Sequence, residues 1–310
     1  MRLITLTLNP AFDLHCHISQ FAPYHENLAY MTAYDAGGKG VNISRALTAC
    51  GVENLAYVVL GDENGDSFRK RLSEDGLSCL FQTVSGRIRE NLTVHTDGAP
   101  ETRISFEGFR LDAERLAQIG DELIPLIEQG TVVTYTGRTP AGLTSEEVGA
   151  FLLRLQEKGA RLVIDSKSVS LAELCEWSPW LIKPNEEEMI AYLGESLDTV
   201  ESIAASAKRL HKRGIENVMV CLGERGALLA SSEGCFWAIP PQIEPCSTIG
   251  AGDSSIAGFL AAAREGGSSA DCLCRAVAYG TAACLSEGTR PPRAEDVRDI
   301  VEKIMLRSIS

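Results

Sequence analysis

The chain has 310 residues, with Lys+Arg 29 against Asp+Glu 42, a formal net charge of -13 and 45% hydrophobic residues. A chain of this size buries a full core without disulfide or metal staples. Its acidic balance excludes non-specific adhesion to nucleic acid or anionic membrane, which needs a basic face, but not a phosphorylated substrate held by a few local cations.

Leu3 to Leu8 alternates apolar and Thr residues, the signal of a strand, and Asn9-Pro10 ends it. Val41 to Cys50 reads as a helix with Gly51 beyond it, Leu55 to Leu60 as a strand and Ser67 to Glu74 as a helix. Arg89 to Thr96 and Thr102 to Phe106 read as strands around the turn Asp97-Gly98-Ala99-Pro100. Helix Ala113 to Glu128, strand Thr131 to Tyr135, helix Ser145 to Lys158 and strand Arg161 to Asp165 follow. Next come a short strand, Leu181 to Lys183, and helices Glu186 to Leu193 and Thr199 to Arg213. Strand Asn217 to Leu222 leads to a hairpin over Ala227 to Ala238. The last third is helical, in segments Ser254 to Arg264 and Ala270 to Leu285 and a C-terminal helix.

This alternation predicts an α/β fold, a mostly parallel sheet with helices on both faces and ligands beyond the carboxyl ends of its strands. The segments Phe12 to Ala36 and Arg87 to Phe106 break the rhythm. They read as a small β-sheet lid inserted at about 12–36 and 87–107 into a single domain spanning 1–310. The opening MRLITLTLNPAFD lacks the regions of a secretory signal, and no run of about 18 apolar residues occurs. The 10 cysteines show no zinc-ligand spacing, and Cys272 and Cys274 fall on a helix facing apart. The expectation is a cytoplasmic protein with reduced thiols and no glycan on the sequons at Asn42 and Asn91.

Three segments carry chemistry. In Thr248-Ile249-Gly250-Ala251-Gly252-Asp253, small residues let backbone approach a ligand, and the helix that follows aims free N–H groups at it. Asp253 reads either as the N-cap of that helix or as a general base beside an anion pocket. Asp35-Ala36-Gly37-Gly38-Lys39-Gly40-Val41-Asn42 is no Walker A loop, since Gly40 stands where Ser or Thr would hold magnesium. In Lys183-Pro184-Asn185-Glu186-Glu187-Glu188, glutamates suit a helix start, while Asn185 and Glu188, one turn apart, could order the water shell of Mg²⁺. No GxGxxG fingerprint follows the first strand and no G-x-S-x-G elbow exists, which argues against nicotinamide binding and serine hydrolysis. His15 and His17 share a strand face with Cys16 opposite, too few groups for a metal without further ligands.

The order of these motifs resembles the ribokinase-like (PfkB) carbohydrate kinases over nearly the whole chain. Leu6-Thr7-Leu8-Asn9-Pro10-Ala11-Phe12-Asp13 is similar to the start of the hexose-phosphate branch. Gly37 to Arg45, Lys183 to Glu188, Thr248 to Asp253 and Gly280 to Thr289 continue the likeness. The resemblance implies ATP-dependent phosphoryl transfer to a sugar phosphate, most of all fructose 1-phosphate at its C6 hydroxyl, ahead of tagatose 6-phosphate or fructose 6-phosphate. A sugar-phosphate sensor on a dead kinase fold is disfavoured, because Asp253, Gly250 and Gly252 are all present. By resemblance Asp253 is the base, and Gly250, Ala251 and Gly252 offer N–H groups to the transferring phosphoryl. Asp13, Gly38, Lys39 and Asn42 match sugar-binding positions, and Arg89 and Arg103 are candidates for the sugar's phosphate. Arg138 departs from the branch: Thr136-Gly137-Arg138-Thr139-Pro140 stands where S-G-S-L-P is usual, which implies a cation in place of the usual serine contact to the sugar phosphate. Lys183, Asn185, Cys221, Gly223, Gly226 and Thr248 match the ATP site, with Cys221 replacing the usual Ser, and Asn185 and Glu188 match the magnesium positions. Ser247, Ile249, Ser286 and Gly288 stand where relatives bind a monovalent cation such as K⁺. The lid's exposed strand edges, together with the resemblance, imply a homodimer formed through the lid sheet.

Overall fold

In a computed structural model that describes residues 1–309, strand β1 (Leu3–Thr7) sends Leu3 and Ile4 into two different cores. Successive strand side chains point to opposite faces, so a strand buried on both sides needs a helical layer on each. After β1 the chain leaves the main sheet for β2 (Ala11–Ile18) and β3 (Tyr30–Gly37), then returns through α1 (Lys39–Ala49), β4 (Leu55–Gly61), α2 (Gly65–Glu74) and β5 (Cys79–Val84). A second excursion makes β6 (Arg89–Thr96) and β7 (Ala99–Ser105). The βα rhythm resumes with α3 (Ala113–Leu123), β8 (Val132–Thr136), α4 (Ser145–Glu157), β9 (Arg161–Asp165), α5 (Leu171–Trp177), β10 (Leu181–Ile182), α6 (Glu186–Leu193) and α7 (Val200–Lys212). It ends with β11 (Asn217–Cys221), β12 (Ala227–Ser231), β13 (Gly234–Ile239), α8 (Ala251–Arg264), α9 (Ser269–Ala283), α10 (Ala294–Val301) and β14 (Met305–Ser308).

The main sheet has the order β14-β13-β12-β11-β10-β9-β8-β1-β4-β5. From β5 to β11 every pairing is parallel, and β12, β13 and β14 close the far edge antiparallel. One face is covered by α1, α8, α9 and α10, which pack Ile43, Phe259, Leu273 and Val297 on Leu3, Val132 and Val163. The other is covered by α2 through α7, whose Phe68, Leu116, Leu152, Leu174, Met189 and Ile203 meet Ile4, Val133 and Leu162. The lid is a separate sheet of order β3-β2-β6-β7, so the two sequence segments outside the βα rhythm do pair with each other.

Several boundaries differ from those expected, each for a local reason. The helix expected to reach Glu128 stops at Leu123 and continues as a 3-10 turn, Ile124–Leu126, because Pro125 has no N–H to donate. Thr96 pairs with Ala99, which reduces the lid turn to Asp97-Gly98. Three elements have no counterpart in the sequence expectation. Strand β5 lies at a sheet edge with mixed burial, α5 has 7 residues, and β14 is exposed along its length. None shows a clear hydrophobic period.

Candidate functional site

The predicted residues gather where the parallel strands end. Strand β1 leads to Asn9 and Asp13, β8 to Gly137 and Arg138, β9 ends at Asp165, β10 leads to Lys183 and Asn185, and β11 to Cys221 and Gly223. The N-termini of α1 and α8, which pack together, supply Lys39 and Asn42, and Gly250 to Asp253. This is the crevice an open α/β sheet offers to ligands.

At its centre, α8 begins three residues earlier than expected. Gly250 is the N-cap, in a left-handed conformation (φ 80) that suits glycine, and no side chain caps the helix. Asp253 is therefore not the N-cap: it sits in the first turn and accepts a hydrogen bond from Asn42 Nδ2 at 2.9 Å. Asp253 is 7% exposed, and burial pushes its carboxyl up to about 6, against the opposing pull of Lys39, the Asn42 bond and Lys183. Ala251 N–H turns back to Thr248 O at 3.4 Å, and the ammonium of Lys183 lies 3.1 Å from where a Cβ on residue 252 would stand, so Gly252 brings a cation onto the helix N-terminus.

Asp165 was not singled out from the sequence, yet it joins two residues that were. Its Oδ2 accepts from Lys39 Nζ at 2.8 Å and lies 3.7 Å from Lys183 Nζ. Burial opposes ionisation of Asp165, but the two lysines overcome it and hold the carboxyl below its ordinary range. Lys183 is raised above its usual value despite burial, chiefly by Asp165. A charged residue closing the apolar run Leu162-Val163-Ile164 was the available signal.

Toward the lid, Asp13 Oδ1 accepts from Asn91 Nδ2 at 2.8 Å and faces Arg103 at 3.4 Å. A Cβ at Gly37 would strike Asp13 Oδ2, and Gly38 adopts φ 122, so both glycines let the lid fold back over α1. Arg89 is the half-buried member of an arginine group: desolvation depresses its guanidinium, and Arg138 and Arg103 add to this, while Asp13 opposes. Arg138, the residue that departs from the family pattern, is thus brought beside Arg89. Arg89 Nε, Asn91 Oδ1 and Asn42 Oδ1 are buried without a hydrogen-bond partner. Such groups are costly to leave unpaired, so these three mark where a polar ligand would complete the site. Asn91 was missed as a site residue, although it lies one step along the same strand face as Arg89.

On the nucleotide side, Asn185 and Glu188 form a capping box for α6: Asn185 Oδ1 accepts from Glu188 N at 2.8 Å, and Glu188 Oε2 from Asn185 N at 3.0 Å. Glu188 keeps Oε1 outside the box, 3.7 Å from Lys167 Nζ. Among the described residues no cluster of three His, Cys, Asp or Glu side chains is set to cage a metal. One spare carboxylate oxygen beside Lys183 fits an ion held mainly by water and phosphate, as Mg²⁺ usually is. Cys221 N–H bonds to Pro184 O at 3.0 Å, which ties β11 to the start of α6. Gly223 and Gly226 have φ 59 and 86, and a Cβ at Gly226 would enter the Ala238 carbonyl. The N–H groups of Cys246 and Ser247 both bond to Cys284 O, at 2.8 and 3.3 Å, so Ser247 and Ile249 lie beside the segment carrying Ser286 and Gly288. His15 pairs with His95 at 3.0 Å and His17 with Asp97 at 2.8 Å, all on the lid. All 10 cysteines are free.

A family model described as pfkB family carbohydrate kinase matches residues 12–296. The chain is 30% identical over 308 residues to 1-phosphofructokinase of Haemophilus influenzae, covering 99% of this chain and 98% of that protein. It is 28% identical over 303 residues to the ATP-dependent 6-phosphofructokinase isozyme 2 of Escherichia coli, covering 97% and 98%. Its fold matches the crystal structure of phosphofructokinase-2 from Escherichia coli in complex with substrates and products with TM-score 0.91 and 27% identity, over 98% of this chain and 99% of that one.

Proposed function

Because the chain belongs to the pfkB family of carbohydrate kinases, which transfer phosphate to an alcohol, we propose that it phosphorylates a sugar phosphate, fructose 1-phosphate at its C6 hydroxyl, giving fructose 1,6-bisphosphate with ATP as donor. The observation that carries this reading is the arginine group of Arg89, Arg103 and Arg138, opposed by Asp13. Three guanidiniums against one carboxylate leave an excess of positive charge at the lid, suited to an acceptor that already bears a phosphate. An unphosphorylated sugar would have no use for them. Asp13, which faces Arg103, and Asn42, which bonds to Asp253, would hold the sugar hydroxyls together with Gly38 and Lys39.

Asp253 takes the proton of the attacking hydroxyl onto its carboxylate. Asn42 donates to Oδ2 and so orients the carboxylate. Backbone N–H groups of Gly250 and Gly252, at the positive end of α8, would meet the charge on the transferring phosphoryl, and Ala251 would join them on releasing its long bond to Thr248 O. Lys183, close over Gly252 at that helix end, would neutralise phosphate, and the backbone of Cys221, Gly223, Gly226 and Thr248 would meet the nucleotide. Magnesium, bound through water near Asn185 and Glu188, would supply further charge neutralisation. Ser247, Ile249, Ser286 and Gly288 would hold a monovalent cation such as K⁺ beside the anion loop.

Initial rates with ATP and Mg²⁺ against fructose 1-phosphate, tagatose 6-phosphate and fructose 6-phosphate test the reading. A kcat/KM preference for fructose 1-phosphate is expected. Preference for a 6-phosphate keeps the chemistry and reverses the sugar in the site. No turnover of any of them would remove the sugar-phosphate reading.

A further inference from the structure

Resting on the reading of Lys39 as a sugar-side cation and Lys183 as a nucleotide-side cation, we propose that Asp165 is a positioning residue that holds both lysines through one carboxylate and so couples the two halves of the site. Lys183 and Asp165 are both buried, at 7% and 6% exposure, and a buried charge must be paired. A single oxygen, Oδ2, is shared by two ammonium groups, one from the start of α1 and one from just past β10. Asp165 itself is rigid: it closes β9, and its backbone carbonyl accepts from Gly137 N at 3.0 Å. The same residue thus fixes the turn that carries Arg138.

Two consequences distinguish this from a merely structural ion pair. Without the carboxylate, two ammonium groups would repel across the floor of the crevice, and each would leave the place from which it meets phosphate. Asp253 already feels both Lys39 and Lys183, and further lysine charge released onto it would make it a weaker base. Asp165 therefore keeps the lysines turned to phosphates and their charge away from the base.

The test uses the full chain with Asp165→Asn, Lys39→Met and the double variant. Asp165→Asn should raise KM for both the sugar phosphate and ATP by about tenfold, since small misplacements of positioning groups are expensive. The acid limb of its kcat/KM profile should move to lower pH by about one unit, the size of shift a neighbouring charge produces. The double variant, in which one cation and one anion are removed together, should have the sugar KM of Lys39→Met alone, the non-additivity expected of residues in one network. This charge-balanced chain carries the comparison if the single Asp165→Asn chain does not accumulate. Unchanged KM values with an unmoved limb, or effects that multiply in the double variant, overturn the proposal. If Lys39→Met leaves the sugar KM at its wild-type value, it is the reading of Lys39 that fails.

Discussion

A single residue, Asp253, as the proposed base, would set the pH range in which this site works. Burial raises its carboxyl to about 6, and a general base must be deprotonated to act. Above that pH the base is available. Below it kcat/KM should fall by about tenfold per pH unit, and a profile flat to pH 5 would show that another group takes the proton. Asp253→Asn keeps the shape and the partner Asn42 but removes the base, so kcat should drop ~10²–10⁴-fold while KM for ATP stays near normal. Substitution of the arginines separates the other end of the site. Arg103 is half exposed, and Arg138 is exposed beside Arg89, so removing either guanidinium should leave the fold intact. Arg138→Ala should raise the sugar-phosphate KM with little change in KM for ATP. An equal rise in both would mean that Arg138 arranges the β8 turn and does not contact the phosphate. The residues named by motif were legible because small or charged types recur in a known order. Asp165 and Asn91 were not, because their roles rest on contacts across 126 and 78 positions of sequence.

Among the elements, those with a strong period and a cap could be read to within a residue or two. Helix α6 and strand β9 begin and end where their sequences say, because Asn185 caps the one and Arg161 and Asp165 bound the other. The start of α8 was misplaced because an Ala-Gly-Asp run looks like loop. Only packing on α1 and the left-handed Gly250 make those residues the first helical turn. The short glycine turn after β11 gives the element-scale prediction. Gly226 adopts φ 86 and ψ -131, and a side chain there would run into the Ala238 carbonyl of the adjoining hairpin. Gly226→Ala should destabilise the chain by at least ~1–3 kcal/mol, since strain at such a conformation adds to the clash. Denaturant unfolding measures the loss. A variant as stable as wild type would mean that the turn has a second conformation free of the clash.

At the scale of the whole molecule, the lid's exposed surface carries the expectation of a homodimer. Strand alternation gives it one polar and one apolar face: Asp13, His15, Asn91 and Arg103 on the first, Cys16, Leu92, Val94 and Ile104 on the second. A bulge between His15 and Cys16 skips Thr32 and places Met31 opposite Cys16, on the apolar side. That shift could not be read from the sequence, which showed two inserted segments but not their register. Met31 is 63% and Ile104 45% exposed, and Phe21, Tyr24, Leu28 and Phe106 stand exposed nearby in the chain. Among the described residues, the outer edges, β3 and β7, have no further strand to pair with. Exposed apolar surface beside open strand edges is what soluble proteins cover. A second lid supplies both an apolar face and matching edges, so sedimentation equilibrium should give twice the 33.4 kDa mass of one chain. Ile104→Asp puts a charge on the apolar face without touching Asp13 or Arg103, and should shift the equilibrium toward monomer. If the monomer keeps its kcat but loses affinity for the sugar phosphate, the second lid holds the first in place over Arg89 and Arg103. A wild-type chain that sediments as a monomer at micromolar concentration would leave the apolar face without this partner.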